Sequence, residues 1–590
     1  MPKDSQGNYV PPAVSGYFPS DLFNASAPLS VNSGQSVQPR FSARVVERLP
    51  QGDVVFWQAT IEDLRGGLNL TNGRFDEDFD RVESGDADAR FYRTLILPQL
   101  TTNATSPDPG GTARGMHSVN FNNKLYIGIG STANLALFSE TSSSDPTIGA
   151  VTYSPSSGIT ALATVAAGGA NAALRLAVGR NDAADPVQLL TTAHATTSMH
   201  ANTGRCWGII QTFINNNTIL IYSQGAIRYL DSTTSDVATQ PTVGLSNVPN
   251  GGYALGMVKL AGAPIRPYWV WPLNENTSGM LVPGSETPGR LVSTNQEGTD
   301  YQYIPMGLKY VFSACIVNGT ALVATDKERI VYYDGKTTAR DLGWVSARTP
   351  NSDRIYECRG LVANGPEIWC RVNHKAAPSG TGNTNAWWEV YNLETGAWHQ
   401  VSASATMSST GSYSTLPAGA LPLSETTGFI HDYSDGSWRR LFVPLYGYNP
   451  YNTYRQTSDA QSGSGNEYEQ NARITLPKLE FPGLEGWPKY VTRIIFHGDV
   501  ESGGSDSVAA SVQWSAGNMD ATFNTGFENR AQLMNVLDNN DLFYRLQPVC
   551  NLTRTTASTR FTPNALPVTF EGYAFVGNAE PPYSWVEDVR

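Results

Sequence analysis

The chain has 590 residues, of which 40% are hydrophobic and 16% are charged, and its formal net charge is −12. This length excludes a single small domain, because domains usually span roughly 100–200 residues. Soluble proteins carry about 25% charged residues, and the deficit here is filled by Ser, Thr, Asn and Gly, which form helices poorly. We therefore predict an all-β protein of many short strands, and the acidic charge argues against a nucleic-acid-binding surface.

The cysteines indicate a reduced protein without a zinc ribbon, since no C-x-x-C pair occurs. There are five: Cys206, Cys315, Cys358, Cys370 and Cys550. Their odd number and low density favour buried thiols made in a cytoplasm. Cys358 and Cys370 are close enough in sequence to meet across two adjacent strands, although nothing in the sequence requires it. Met1–Val10 has no apolar run of a signal peptide, and no stretch approaches 18 apolar residues, so we predict no membrane span.

Residues 1–55 are rich in Pro, Ser and Asn and carry few strand signals. A stretch such as Tyr9–Ser42 can bury little apolar surface on its own. We predict an extended N-terminal arm that lies on a neighbouring subunit, with a floppy tail as the alternative.

Residues 56–115 are predicted to lead into the repeated part of the chain. They contain Ile61–Gly73, IEDLRGGLNLTNG, and then the acidic run Asp76–Asp88. Three carboxylates of this run have the i, i+2, i+4 spacing of a calcium loop: Asp76, Asp78 and Asp80. Arg81 stands where the helical-hand calcium loop needs Gly. A solvated acidic loop is favoured, and calcium binding stays open.

Residues 116–455 carry a weak repeat. Short runs rich in β-branched or aromatic residues begin 45 to 60 residues apart, at Leu125, Leu174, Ile219, Tyr268, Ala321, Glu367 and Thr427. A second set of runs follows them: Leu135–Phe138, Val187–Leu190, Ala226–Leu230, Met280–Val282, Arg329–Tyr333, Trp387–Tyr391 and Trp438–Val443. Periods of roughly 40–50 residues with about four strands each are typical of propeller blades. We predict a β-propeller of six or seven blades; a β-sandwich array, or several unrelated β domains, is the alternative.

The remainder of the chain is predicted to be a second β domain. Residues 456–467, QTSDAQSGSGNE, are poor in apolar residues and indicate a linker or an exposed loop. Residues 468–590 are predicted to form a C-terminal β-sandwich, with alternating strands at Val508–Trp514 and Val568–Val576.

Two segments on either side of the repeat carry a resemblance to a known family. One contains Gly66, Gly67, Leu68 and Asn69; the other is Ile474–Val500, with Leu476, Pro477, Gly483, Lys489 and Gly498. They resemble the segments that open and close the propeller-type structural proteins of bacteriophage tails and necks. The usual Asn-Val and Arg-x-Gly elements do not follow Asn69. The position in the tail therefore stays open between nozzle, adaptor and baseplate.

This resemblance implies a structural protein of the virion tail, a nozzle- or hub-type ring subunit that lines or surrounds the DNA channel during genome ejection. It implies a homo-oligomeric ring, with a hexamer favoured, contacts with other tail proteins, and assembly in the host bacterial cytoplasm. No enzymatic activity is expected. A receptor- or carbohydrate-binding tail or baseplate module, with host surface polysaccharide as ligand, is the first alternative. A propeller-type glycosidase is the second.

No sequence motif indicates chemistry, so we predict no catalytic, cofactor-binding or metal site. The chain has no G-x-S-x-G elbow and no phosphate-binding loop. His194 and His200 lack the metalloprotease spacing, and only one approximate sialidase box occurs, at Ser434, Asp435, Gly436 and Trp438. The aromatic clusters Tyr268–Trp271 and Tyr446–Tyr454 suit sugar binding, but blade cores and inter-subunit packing are favoured. Any channel-facing surface is predicted to be neutral or acidic, with no sequence-specific contact to DNA.

Overall fold

Every element in the described part of the chain is a β-strand, which confirms the all-β prediction. The computed structural model describes these residues: 40–49, 52–68, 81–82, 84–85, 87–95, 101–103, 116–122, 124–129, 137–140, 148–153, 157–167, 173–182, 187–199, 204–213, 218–231, 241–273, 288–336, 338–343, 354–376, 385–400, 405–406, 429–432, 439–443, 452–456, 471–476, 479, 481, 483–497, 507–514, 517–522, 532–535, 546–553, 564 and 566–577. Within them, no helix is long and apolar enough to cross a membrane.

The chain divides into two compact units. The first consists of Met1–Leu100, Glu389–Ser404 and Ala460–Arg590, and the second of Thr101–Trp388 and Ala405–Asp459. The first unit therefore combines both ends of the sequence with a short insert, where the sequence predicted separate N-terminal and C-terminal parts.

The first unit contains two five-stranded sheets and a short parallel pair. One sheet has the order β1 (Arg40–Leu49), β2 (Gly52–Ile61), β41 (Val568–Gly577), β36 (Lys489–Phe496), β39 (Gln532–Asn535). The other has the order β38 (Gly517–Thr522), β37 (Ser507–Trp514), β40 (Gln547–Thr553), β35 (Asn471–Thr475), β5 (Ser84–Gly85). The parallel pair joins β3 (Gly67–Leu68) and β4 (Arg81–Val82).

The N-terminal boundary differs from the prediction. The predicted arm extends to residue 55, but β1 pairs with β2, and β2 pairs along its whole length with β41. The reason is the alternation in β2, which buries Val55, Trp57, Ala59 and Ile61 on one face. Because β41 provides the long-range partner, these residues order in a sheet that their own segment cannot complete. Residues 1–39 lie outside the described residues, and the arm stays a prediction for them.

Seven sheets follow one another in the described part of residues 101–456: six are built on four successive strands, and the seventh has three successive strands completed by an earlier one. Sheet 1 consists of β7 (Met116–Phe121), β8 (Lys124–Ile129), β9 (Leu137–Glu140) and β10 (Ile148–Ala150). Sheet 2 consists of β11 (Ile159–Ala167), β12 (Ala173–Arg180), β13 (Val187–Leu190) and β14 (Thr196–Met199). Sheet 3 consists of β15 (Cys206–Gln211), β16 (Thr218–Ser223), β17 (Ala226–Asp231) and β18 (Thr242–Ser246). Sheet 4 consists of β19 (Tyr253–Val258), β20 (Arg266–Pro272), β21 (Gly289–Thr294) and β22 (Tyr301–Tyr303). Sheet 5 consists of β23 (Ser313–Val317), β24 (Ala321–Thr325), β25 (Ile330–Tyr333) and β26 (Arg340–Asp341).

Sheets 6 and 7 complete this series. Sheet 6 consists of β27 (Arg354–Asn364), β28 (Glu367–Ala376), β29 (Asn385–Asn392), β30 (Ala397–Gln400), and β31 (Ala405–Thr406), which pairs with β29. Sheet 7 consists of β32 (Phe429–Asp432), β33 (Arg439–Val443), β34 (Asn452–Gln456) and β6 (Thr101–Asn103). Its fourth strand thus comes from the residues that precede sheet 1.

Successive sheets contact each other through their first strands. The contacts join β7 to β11, β11 to β15, β15 to β19, β19 to β23, β23 to β27 and β27 to β32. Apolar clusters fill the space between neighbouring sheets; between sheets 3 and 4 the cluster includes Trp207, Tyr222, Trp269, Trp271 and Val292. In sheets 1 to 5, as far as the structure describes their side chains, neighbouring sheets therefore bury apolar faces against each other, as four-stranded sheets require.

A β-bulge recurs in the first strands of four sheets. The ladder shifts register between Ile159 and Ala161, between Cys206 and Gly208, between Ala254 and Gly256, and between Cys358 and Gly360. In two of them the bulge is a Cys-x-Gly triplet in which the Cys Sγ lies 3.7 Å from the Gly carbonyl oxygen. Since a bulge increases strand twist locally, its recurrence marks these sheets as repeats of one unit.

The sequence period corresponds to these sheets with two differences. The first six predicted runs fall in the second strands, β8, β12, β16, β20, β24 and β28, but the seventh, at Thr427, falls in the first strand of sheet 7. Met280–Val282, the second predicted run of the fourth repeat, lies outside the described residues. The third strand there is β21 (Gly289–Thr294).

Candidate functional site

Two Asp-x-Arg triplets of the first unit form the same bidentate ion pair. Asp63 Oδ1 accepts hydrogen bonds from the backbone N and the Nε of Arg65, both at 3.0 Å, and Oδ2 accepts one from Nη2 at 2.7 Å. Asp88 Oδ1 accepts from the backbone N of Arg90 at 3.2 Å and from Nε at 3.1 Å, and Oδ2 accepts from Nη2 at 3.0 Å. Both carboxylates are buried. Such forked, charge-assisted pairs fix the guanidinium plane as well as its position.

A third ion pair holds the turn that follows these triplets. Arg93 donates from Nε to Glu62 Oε2 at 3.0 Å and forms a second contact through Nη2. Asn564 accepts from the backbone N of Leu95 at 2.8 Å and donates to the carbonyl of Arg93 at 2.9 Å. The turn is therefore fixed by the carboxylate of Glu62, which precedes it in the sequence, and by the side-chain amide of Asn564, which lies about 470 residues after it.

His399 lies among these charges and is itself buried. Burial lowers its pKa to about 4; Asp88 opposes this shift and Arg90 adds to it. The imidazole is therefore neutral at pH 7. We use the term ion-pair cluster for the group formed by Glu62, Asp63, Arg65, Asp88, Arg90, Arg93 and His399.

Gly67 shows why the Gly-Gly segment stands beside this cluster. A Cβ at position 67 would lie 2.2 Å from the carbonyl oxygen of Trp398, and its φ is +80°. Only glycine permits both the left-handed backbone and this close approach. The segment that carries the family resemblance thus packs directly against the strand that presents His399.

Two exposed aromatic side chains stand on the arginines of the cluster. Phe91 and Tyr92 are 46% and 44% exposed. The guanidinium of Arg65 lies 5.0 Å from the Tyr92 ring centre, that of Arg93 lies 5.5 Å from it, and that of Arg90 lies 5.3 Å from the Phe91 ring centre. Residues 91–93, here called the aromatic tip, are held by cation–π contacts above ion pairs whose carboxylates are buried. Rigid Tyr and Arg side chains of this kind dominate the energetics of protein interfaces.

A second aromatic group lies in the second unit, between sheets 3 and 4. Ring centres are 5.9 Å apart for Tyr222 and Trp269, 6.1 Å for Tyr222 and Trp271, 5.1 Å for Trp271 and Tyr301, and 5.5 Å for Tyr301 and Tyr303. We call these five residues the aromatic ladder. It begins at fully buried Tyr222 and ends at Tyr303, which is 49% exposed.

Polar contacts fix the inner part of the ladder. The Tyr222 hydroxyl donates to the Pro249 carbonyl at 2.6 Å, and Trp269 Nε1 donates to Thr294 Oγ1 at 3.1 Å. At the outer end the Arg290 guanidinium lies 5.4 Å from the Tyr303 ring centre. The neighbouring Tyr303 phenol raises the pKa of Tyr301. The Tyr301 hydroxyl is therefore neutral at pH 7 and available as a hydrogen-bond donor and acceptor.

The structure places several residues that the sequence analysis singled out. His194 is bonded to the Tyr126 hydroxyl, Nε2 to O at 2.8 Å, and burial lowers its pKa. His200 lies outside the described residues. Within the described ranges, no group of three or more His, Cys, Asp or Glu side chains could hold a metal ion.

The acidic run is described only near its end. Asp76, Asp78 and Asp80 lie outside the described residues, so calcium binding there stays open. Asp88 departs from the prediction of a solvated loop, because it is buried in its pair with Arg90.

The aromatic clusters divide in the same way. Tyr268–Trp271 is buried in the cores around sheet 4, as the favoured interpretation predicts. Of Tyr446–Tyr454, the structure describes residues 452–454 only, in β34. The sialidase-like box at Ser434–Trp438 lies outside the described residues.

Sequence reasoning missed both the ion-pair cluster and the outer ladder. A signal existed for each: Asp-x-Arg occurs at Asp63–Arg65 and again at Asp88–Arg90, and Tyr301–Tyr303 alternates as a half-exposed strand does.

Comparisons with known proteins yield only distant likenesses. No family model and no curated protein matches the chain. Among solved structures, the chain is similar to a catalytically inactive variant of virginiamycin B lyase from Staphylococcus aureus with quinupristin, at 12% identity and a TM-score of 0.31, over 50% of this chain and 96% of that one. It is also similar to the WD40 β-propeller domain of Doa1, at 8% identity and a TM-score of 0.24, over 50% of this chain and 91% of that one. A third similar structure is a thermostable family-43 glycoside hydrolase, at 10% identity and a TM-score of 0.24, over 61% of this chain and 99% of that one. At these TM-scores none of them assigns an activity or a residue role to this chain.

Proposed function

We propose that this chain is a non-enzymatic structural subunit of a bacteriophage tail, in which residues 101–456 form a seven-bladed β-propeller. Seven consecutive four-stranded sheets, contacts between successive first strands, and the recurrent bulge support the propeller. Pairing of β6 with β34 supports its closure, because a strand from before the first sheet completes the last one. Closure of this kind removes exposed sheet edges.

The observation that carries the structural role is the aromatic tip on its ion-pair cluster. Exposed Phe91 and Tyr92 would gain burial in an assembly, and the arginines beneath them are already fixed by carboxylates. Little side-chain entropy is then lost when a partner binds. We propose that the tip contacts a neighbouring copy in a homo-oligomeric ring, with a hexamer favoured, and that the ring surrounds the genome channel of the virion tail beside other tail proteins.

Removal of the tip tests this role. The double substitution of Phe91→Ala and Tyr92→Ala should lower the ring fraction in native mass spectrometry by at least about tenfold, which corresponds to about 1.4 kcal/mol per contact. The matched control removes two similarly exposed aromatics, Tyr301→Ala and Tyr303→Ala, and should leave assembly unchanged. Equal assembly of both variants and the wild type would contradict the role of the tip.

The aromatic ladder favours a second candidate function, the binding of host surface polysaccharide. Exposed Tyr301 and Tyr303 offer ring faces and hydroxyl groups, and the ladder connects them to Trp271, whose ring centre is 5.1 Å from that of Tyr301. Sugars stack on such rings and hydrogen-bond to such hydroxyls.

Intrinsic fluorescence can report on this binding. A polysaccharide bound at Tyr301 should change tryptophan emission through Trp271, and Tyr301→Ala should weaken binding about tenfold. The double substitution of Phe91→Ala and Tyr92→Ala serves as the control and should retain polysaccharide binding. Polysaccharide affinity that is unaffected by Tyr301→Ala would rule out the ladder as the binding site.

A further inference from the structure

We infer that Cys358 and Cys370 form an oxidation site that closes to an intramolecular disulfide within sheet 6. Their sulfur atoms are 2.8 Å apart, and both side chains are buried. Non-bonded carbon atoms at optimal contact are about 3.5–4.0 Å apart, and sulfur is the larger atom. The two thiols therefore already stand within the distance at which a small displacement permits an S–S bond.

The recurrent bulge explains why these two sulfurs meet. Cys358 is opposite Val372 and Leu361 is opposite Cys370, while Arg359 is the extra residue between them. Cys358 and Cys370 are thus diagonal neighbours on one face, whose Cβ atoms are usually about 7–8 Å apart or somewhat less. The bulge bends β27 and turns the Cys358 side chain. It brings the two sulfur atoms together.

The other bulges provide internal comparisons. In sheet 3, Cys206 occupies the position of Cys358, but Ile221 occupies that of Cys370. Cys206 is as deeply buried and makes the same 3.7 Å contact with a glycine carbonyl. It therefore differs from Cys358 by the neighbouring thiol and not by its depth in the sheet.

A third thiol lies next to this pair. Cys315 belongs to β23, and burial together with the neighbouring Cys358 raises its pKa. Since β23 contacts β27, Cys315 is a competing partner from the adjacent sheet. The short distance between Cys358 and Cys370 selects the pair within one sheet.

The oxidation balances with a peroxide as the oxidant. One thiolate attacks the O–O bond of hydrogen peroxide, so that an S–O bond forms and hydroxide leaves. The second thiol attacks the sulfenic sulfur, so that the S–S bond forms, the S–O bond breaks and water leaves. The two thiols lose two electrons and two protons, and the peroxide becomes two water molecules. Because both side chains are buried and peroxide reaches them with difficulty, we expect slow oxidation that nevertheless yields a single product.

Mass spectrometry of the native full-length chain tests this inference. After hydrogen peroxide treatment, denaturation, alkylation and digestion, the peptides of Cys358 and Cys370 should be linked, with the loss of two hydrogen atoms. Cys206 and Cys550 should remain fully alkylated. Cys315→Ala should leave the link intact, and Cys370→Ala should abolish it and leave Cys358 open to alkylation. In the wild type, the melting temperature should rise on oxidation and return with a reducing agent.

Two results would overturn the inference. One is alkylation of Cys358 and Cys370 in the treated wild type to the same extent as Cys206. The other is a link from Cys358 to Cys315. Both are read on the wild-type chain, so they do not depend on whether a variant folds.

Discussion

Gly572 lies directly opposite Trp57 in the pair of β2 and β41, and the indole occupies the space that a side chain at position 572 would need. A Cβ there would lie 2.6 Å from Trp57 Cζ2 and 1.9 Å from the carbonyl oxygen of Tyr490. Trp57 is fully buried, and its ring centre lies 4.7 Å from that of Phe481. This glycine thus lets strands from opposite ends of the sequence share one core.

Gly572→Ala should destabilise the first unit by roughly 1–3 kcal/mol, because the added methyl group meets backbone that cannot move away easily. The midpoint of urea unfolding, followed by tryptophan fluorescence, measures the change. Val46→Ala, at an exposed position of β1 in the same sheet, should stay within about 0.5 kcal/mol. A similar midpoint for both variants would refute this packing.

Asp88→Asn should cost about 3–5 kcal/mol, because it leaves Arg90 buried without its carboxylate partner. The control is Asp341→Asn, which breaks the exposed pair of Arg329 and Asp341 at 3.0 Å and should cost about 1 kcal/mol or less. Urea unfolding of the two variants gives the comparison. Equal costs would show that the buried pair is not a structural anchor.

Stability should fall as the pH drops from about 6.5 to about 4, because His399 has a folded pKa of about 4. In this window the unfolded chain binds the proton and the folded chain does not, so protonation favours unfolding. The loss through this one group is about 3 kcal/mol. His399→Gln should remove that part of the pH dependence. An unchanged slope in the variant would place His399 in a solvated site.

Duplex DNA should not bind the purified chain, since a net charge of −12 repels phosphate. A gel-shift titration at low salt is the most sensitive measurement, because electrostatic binding is strongest there. Micromolar binding that weakens steeply with added salt would reveal a basic track and contradict the prediction of a neutral or acidic channel surface.

The sequence predicts the repeated sheets well because strand pairing within each sheet is local. The runs that begin at Ile219 and Ala321 fall in second strands whose residues are all buried and mostly apolar or β-branched. The first unit is harder to predict, because β2 finds its partner β41 from near the other end of the chain. No periodicity encodes such a pairing.

The candidate sites were harder to predict from the sequence for a related reason. Asp88 belongs to an acidic run that is typical of a solvated loop. In the fold it is buried beside His399, which comes from a strand about 310 residues away in the sequence. Cys358 and Cys370 were predictable as neighbours because they lie on adjacent strands. Their close contact depends on a bulge, which composition does not reveal.

Electron cryomicroscopy of the purified chain can show both the closure of the propeller and the assembly of the ring. We expect closed rings whose subunits each contain a seven-bladed propeller completed by β6, with Phe91 and Tyr92 buried between neighbouring copies. A monomer at micromolar concentration with an exposed aromatic tip, or a ring in which residues 101–456 form an open array of sheets, would contradict it.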